Sequence, residues 1–173
     1  MTRPVHPAEL PRPKPGYACI GLYNPQGPEN VGSVLRAAGC YGAHSVFYTG
    51  QRYERARQFR TDTKGIHLAI PLIGVDDLQA VIPLDCVPVA VELLPDAKPL
   101  TTYRHPDRAF YIFGPEDGSL KKDVTAWCRD VVYIPTEGSM NLAATVNVVL
   151  YDRLLKGSPG GRTAGRGSAP TLW

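Results

Sequence analysis

No CxxC pair occurs anywhere in the 173 residues, and the four cysteines, Cys19, Cys40, Cys86 and Cys128, stand singly inside apolar segments. That scatter excludes a thiolate zinc site and a disulfide framework and fits separate thiols, so no metal is expected. No apolar run approaches the roughly 20 residues that a membrane helix needs, which excludes a spanning segment. Residues 1–15 contain five prolines and no apolar stretch, so they do not make a secretory leader, and a cytoplasmic protein is expected. Charge of one sign is also scarce. A formal net charge of +3 is too mild to mark a nucleic-acid partner by itself. Phosphate-binding fingerprints are missing too: no GxGxxG follows the first strand and no GKS or GKT occurs, which argues against a dinucleotide fold and a P-loop.

Hydrophobic residues make up 43% of the chain and charged residues 20%, enough apolar material at this length for one buried core. The prolines of residues 1–16 and the Gly/Ser/Arg-rich stretch 157–173 offer little to bury, so a flexible N-terminal segment and a disordered tail are expected around one folded domain, 17–156. Inside it, short apolar runs alternate with helix-like segments. Strands are expected at 18–23, 45–48, 69–73, 87–93, 109–113 and 131–134, and helices at 31–41, 76–81, 120–128 and 141–155. Runs such as Val87, Val89, Ala90 and Val91 are continuously apolar, as in strands covered on both faces. The fold class is therefore α/β, with a mostly parallel six-stranded sheet and helices on both faces.

Three loops follow expected strands, at 24–30, 114–119 and 135–140, and the carboxyl ends of strands are where open α/β sheets collect ligands. In the first, Asn30 stands where a helix N-cap is expected. By helical spacing Val31, Val34, Leu35 and Ala38 make a buried stripe, while Gly32, Arg36 and Gly39 fall on a neighbouring row. Arg36 is flanked by residues without side chains, which leaves room for another backbone to approach a guanidinium suited to phosphate, although a solvated surface arginine has the same spacing. The second loop, Phe113-Gly114-Pro115-Glu116, carries a carboxylate between glycines. The third, from Ile134-Pro135 to Ser139-Met140-Asn141, leads into a helix with Leu142, Val146, Val149, Leu150 and Leu154 on one face, for which Ser139 or Asn141 supplies a cap.

Taken together and in this order, Asn30-Val31-Gly32 with Arg36, Phe113-Gly114-Pro115-Glu116, and Ile134-Pro135 with Ser139-Met140-Asn141 resemble the three motifs of the SpoU/TrmH family of RNA 2′-O-ribose methyltransferases, in its compact form without an added RNA-binding domain. The resemblance runs from about residue 17 to 156. It implies a C-terminal trefoil knot, S-adenosyl-L-methionine as methyl donor and S-adenosyl-L-homocysteine as product. It also implies that the cofactor lies among Val91, Glu92, Leu93, Gly114, Ile134, Ser139, Met140 and Asn141. A methyl group already activated on a sulfonium asks only for contacts that hold and align it. The family's proposed general base corresponds to Arg36, with Asn30, Ser139 and Asn141 positioning it or the substrate and Glu116 orienting Asn30 or Arg36. A guanidinium normally stays protonated, so the other role open to Arg36 is to grip the target phosphate and orient the nucleophile. Met140 stands where leucine is common in the family, and Glu137 adds a negative charge near the cofactor loop.

The segment after the second strand carries Arg52, Arg55, Arg57, Arg60 and Lys64 interleaved with Tyr53 and Phe59. Arginines beside aromatics suit phosphate contact and base stacking, so RNA contact is expected there, against the alternative of a solvated charged helix. By the resemblance the protein is a homodimer in which the helices carrying Arg36 and the third motif meet the partner. The RNA is tRNA in preference to rRNA, because a small protein fits a small substrate. The competing function is a non-catalytic RNA-binding or assembly factor on the same fold.

Overall fold

The computed structural model describes residues 16–57 and 70–157. The expectations for the N-terminal segment and the tail fall, apart from Gly16 and Gly157, outside the described residues, as do Arg60, Lys64 and the side chain of Arg57.

The apolar runs become parallel strands. β1 (Ala18–Leu22) and β6 (Ala109–Phe113) are buried along their whole length and pair in register from Ala18 with Ala109 to Leu22 with Phe113. The full order is β3-β2-β1-β6-β4-β7-β5, with β2 at Val46–Tyr48, β3 at Leu72–Gly74, β4 at Val87–Val91, β5 at Lys98–Pro99 and β7 at Asp130–Tyr133. Every pairing is parallel. The sheet thus has seven strands and not six. The additional one is the two-residue β5 on the edge, where a proline is tolerated because one side of the ladder is unpaired. It is too short to show any periodicity. β3 also begins later than expected, after Pro71, whose carbonyl accepts from Val46 N at 2.9 Å.

Alternate residues of the strands feed two cores, as the pleat requires. Ile20, Leu22, Val89, Val91, Tyr111 and Phe113 pack with Val31, Val34, Leu35, Val146, Val149 and Leu150 of α1 (Pro28–Tyr41) and α4 (Leu142–Lys156). On the opposite face Cys19, Ala90, Phe110 and Ile112 pack with Leu78, Leu120 and Val124, the last in α3 (Lys122–Trp127). Helical structure at 76–81 contracts to a 3-10 turn, Gln79–Val81. Asp77 Oδ1 accepts from Gln79 N at 2.9 Å, and Pro83 limits any extension. The basic segment opens as a short helix, α2 (Arg52–Arg57).

Two features fix α4 and thereby the third loop. Asn141 is its N-cap, accepting on Oδ1 from Ala143 N at 2.9 Å and Ala144 N at 3.4 Å. Near the other end Arg153 is buried and Leu154, expected on the apolar face, is 43% exposed. The Arg153 guanidinium donates to the carbonyls of Pro106 at 2.6 Å and Asp107 at 2.7 Å and to the Tyr111 hydroxyl at 3.1 Å. These bonds satisfy a charged donor that burial has taken out of water. α4 is therefore capped by its own Asn141 at one end and tied through Arg153 at the other to the segment that leads into β6.

Candidate functional site

β4, β6 and β7 are neighbours in the sheet, so the loops leaving their carboxyl ends converge. Between them lies a cavity of about 670 Å³. Val91, Glu92 and Leu93 line it from β4, residues 113–116, 118 and 119 from β6, residues 133–140 from β7, and Leu142 and Thr145 from the first turn of α4. Of the residues the family resemblance assigns to the cofactor, Val91, Glu92, Leu93, Gly114, Ile134, Ser139 and Met140 all line this cavity, and Asn141 does not. The Asn141 side chain turns toward α1 instead. Phe113, Tyr133, Leu142 and Thr145 also line the cavity and were not expected there. Leu142 and Thr145 stand three apart at the start of a helix that was already expected, and that spacing was the available signal.

The lining is apolar at Val91, Phe113 and Leu142, all buried, and its charged groups are Glu92, Glu116 and Glu137 with no lysine, arginine or histidine among the described residues. Such a wall suits a ligand with an apolar body and a cationic part. Glu92 is held in place, accepting from Leu120 N at 2.7 Å and Leu93 N at 3.0 Å. Gly114 lies where the two ends of its own loop meet: a Cβ there would stand 3.2 Å from Leu120 N.

The three loops are joined by a directed line of hydrogen bonds. α1 begins at Pro28, with Gly27 as a cap that offers no side chain. Asn30 is thus in the first turn and is not the N-cap the spacing suggested. A proline at the first helical position sets that earlier start. The capping oxygen comes from Glu116, whose carboxylate accepts from Gln26 N and Gly27 N, each at 2.9 Å, and from Asn30 Nδ2 at 3.0 Å. Burial raises the Glu116 pKa, but these hydrogen bonds outweigh it and leave the carboxyl below its ordinary value, as expected for a carboxylate on a helix N-terminus. Asn30 Oδ1 in turn accepts from Asn141 Nδ2 at 2.9 Å. A carboxylate can only accept and the α4 N–H groups can only donate, so both amides have one possible orientation.

Arg36 and Ser139 are not part of this line. Arg36 is exposed and makes no hydrogen bond or ion pair among the described residues. It lies six residues beyond Asn30, about 9 Å along the helix axis, so Asn30 does not orient it. A Cβ at Gly32 would meet nothing within 4 Å, which leaves the approach to that face of α1 open. Ser139 is exposed on the cavity rim. Glu116 orients Asn30 and does not touch Arg36. In the basic segment, Arg55 is exposed and donates to Gln51 Oε1 at 2.9 Å. Arg52 differs: its guanidinium grips Asp117 through two bonds, at 3.0 and 2.8 Å, and Gln26 through a third at 2.7 Å. No group of three or more potential metal ligands occurs among the described residues, and none of the described helices is long and apolar enough to cross a membrane.

A family model described as the SpoU rRNA methylase family matches residues 17–151. Among solved structures, the SpoU methyltransferase AviRb from Streptomyces viridochromogenes in complex with the cofactor AdoMet is similar at 20% identity and a TM-score of 0.68, over 84% of this chain and 60% of that one. The chain thus spans less than two thirds of AviRb. A TrmH/SpoU tRNA-modifying enzyme from A. aeolicus is similar at 15% identity and a TM-score of 0.71, over 84% of this chain and 77% of that one. A protein described through the 2-OH methylation of C/U34 on tRNA is similar at 23% identity and a TM-score of 0.66, over 82% of this chain and 97% of that one. At these identities the likeness speaks for the fold. No curated protein is matched by the sequence.

Proposed function

Because the chain belongs to the SpoU rRNA methylase family, we propose that it transfers a methyl group from S-adenosyl-L-methionine to a ribose 2′-hydroxyl of RNA, with tRNA as the favoured substrate. The observation that carries this reading is the hydrogen-bonded line Glu116–Asn30–Asn141, which joins the first motif loop to the two motif loops that line one cavity. At about 670 Å³ the cavity falls within the roughly 300–1,000 Å³ typical of small-ligand sites. Its apolar wall and its carboxylates, with no cationic side chain among the described lining residues, fit an adenosine bearing a sulfonium. The donor supplies a methyl group already activated by positive sulfur.

The protein's part is alignment. Val91, Glu92, Leu93, Gly114, Ile134, Ser139 and Met140 hold the donor. Asn30 and Asn141, fixed in orientation, order the rim where the acceptor enters. Arg36, a cation without a partner among the described residues and beside open space at Gly32, grips the phosphate next to the target ribose and orients its hydroxyl. With the donor bound, the O–CH3 bond would form as the S–CH3 bond breaks, the hydroxyl proton would leave to solvent, and S-adenosyl-L-homocysteine would be the product. Arg55 and Arg57, with Arg60 beyond the described residues, add sequence-independent attraction to RNA.

The same reading takes 17–156 as one domain with a C-terminal trefoil knot, acting in the cytoplasm as a homodimer. Exposed Tyr151, Leu154 and Leu155 near the end of α4, with Tyr151 edge-on to Tyr41 of α1, give the dimer an apolar face. Incubation with S-adenosylmethionine labelled in the methyl group and tRNA or rRNA, followed by mapping of the modified nucleotide, tests the function. Ribose 2′-O label in tRNA is the expected result. Intact RNA binding with no incorporation would favour the non-catalytic RNA-binding alternative.

A further inference from the structure

Among the described residues, the Arg52 guanidinium makes three hydrogen bonds, and each goes to one of the site loops. Its two Nη atoms hold both carboxylate oxygens of Asp117, and Nη2 also donates to Gln26 Oε1. Gln26 and Asp117 both belong to the site loops. Gln26 N donates to Glu116 Oε2, and Asp117 follows Glu116 in the chain. The contacts therefore close a ring from Arg52 to Gln26, from Gln26 N to the Glu116 carboxylate, along the backbone to Asp117, and back to Arg52. Glu116 is the group on which the Asn30 and Asn141 amides are aligned.

We infer that Arg52 is a positioning residue, a clamp that joins the first turn of α2 to the 24–30 and 114–119 loops and holds Glu116 in register with Asn30, and that it is not an RNA contact. The inference rests on the methyl-transfer reading above. A planar fork is needed, because three acceptor atoms on two loops must be met at once and an ammonium group lacks that geometry. The Arg52 and Asp117 side chains are 32% and 58% exposed, so the clamp contributes little to global stability. Its value lies in geometry, since misplacing a reacting group by about 1 Å costs roughly a hundredfold in rate.

Four variants separate the clamp from a phosphate contact: Arg52→Gln, Arg52→Lys, Asp117→Asn and the double variant Arg52→Gln/Asp117→Asn. Each is assayed for kcat at saturating RNA and donor, for the salt dependence of RNA binding, and for the Asn30 and Asn141 side-chain amide resonances. For the clamp, all three single variants lower kcat about tenfold, within the range that misalignment commands. The double variant is no worse than either parent, the salt slope stays at the wild-type value and the two amide resonances shift. The idea is overturned if Arg52→Gln reduces the salt slope by about one, as loss of a phosphate contact does, while Asp117→Asn and Arg52→Lys keep full kcat. Unmoved amide resonances in Arg52→Gln overturn it as well. Wild-type protein that transfers no methyl group sinks the functional reading, and the amide resonances then still decide whether Arg52 orders the loops.

Discussion

Asn141 donates from Nδ2 to Asn30 Oδ1 at 2.9 Å across a separation of 111 residues, and each end of that bond is fixed by a different helix start. Asn141 Oδ1 caps α4, and Asn30 Nδ2 reaches the carboxylate that caps α1. The two jobs of Asn141 can be separated. Asn141→Asp keeps an oxygen for the cap and loses the donor, so it is expected to melt near the wild-type temperature while methyl transfer falls at least tenfold. Asn141→Ala loses both, and its stability should drop by about 0.5–2 kcal/mol as well, the usual worth of a cap. Thermal melts beside transfer rates check this; equal melting losses in both variants would show that the link to Asn30, and not the cap, supports the fold.

Glu116 gives the site an acid limit. Its folded pKa lies below the ordinary value because hydrogen bonds from Gly27 N, Asn30 and Gln26 N overcome the effect of burial. A depressed carboxyl adds stability that is fully present above the unfolded pKa, about 4.3, and is lost as pH falls through the lower folded value. Urea midpoints of the wild type should therefore decline below about pH 4.3 more steeply than those of Glu116→Gln. The variant keeps an acceptor for the helix but has no proton to gain there. Parallel curves for the two proteins would contradict the assignment.

A second limit comes from the buried cluster under α4. His105 lies between Tyr111 Oη, 2.6 Å from Nδ1, and Asp152 Oδ2, 2.8 Å from Nε2. Because the carboxylate only accepts, a neutral ring donates from Nε2 and accepts the Tyr111 hydroxyl proton on Nδ1. Burial lowers the His105 pKa below its ordinary 6.5 despite the opposing pull of Asp152. The unfolded chain thus binds a proton that the folded chain refuses. Stability is full above about pH 6.5 and falls as pH drops toward the folded value. Denaturant titrations between about pH 7 and 5 should show this loss in the wild type and much less of it in His105→Gln, whose amide can serve both neighbours.

Much of this arrangement is legible in the residue order, and the part that is not has a common cause. The continuous apolar runs mark β1, β4 and β6, and Asn141 ahead of an apolar helix marks a cap, because both signals are local. Asn30 misleads because Pro28 starts α1 earlier and the capping group arrives from Glu116, 89 residues from the Gly27 N–H that it accepts. Arg153 gives no sign of burial, since the carbonyls of Pro106 and Asp107 that satisfy it belong to another part of the chain. Arg52 looks like its basic neighbours, and only Asp117 and Gln26 in space set it apart. Periodicity reports which face of an element is apolar; it does not report which distant polar group completes it.

Arg36 is the group whose removal should separate chemistry from donor binding. It is exposed, has no partner among the described residues and does not line the cavity, so nothing in the donor site depends on it. Arg36→Ala is expected to leave the calorimetric affinity for S-adenosylhomocysteine within about twofold of wild type. Transfer should fall by about a hundredfold or more, the scale seen when one preorganised group at the reacting centre is deleted. The lysine variant then distinguishes two roles for the arginine. If a fixed cation on the phosphate is what matters, Arg36→Lys should recover part of the rate, because an ammonium still binds phosphate as a point charge. Its rate should stay flat between about pH 7 and 9, below the ordinary lysine pKa of about 10.4. If instead the side chain removes the hydroxyl proton, the lysine variant should gain rate steadily over the same range as its neutral fraction grows. A parallel loss of donor affinity in Arg36→Ala would show that the guanidinium reaches the donor site after all.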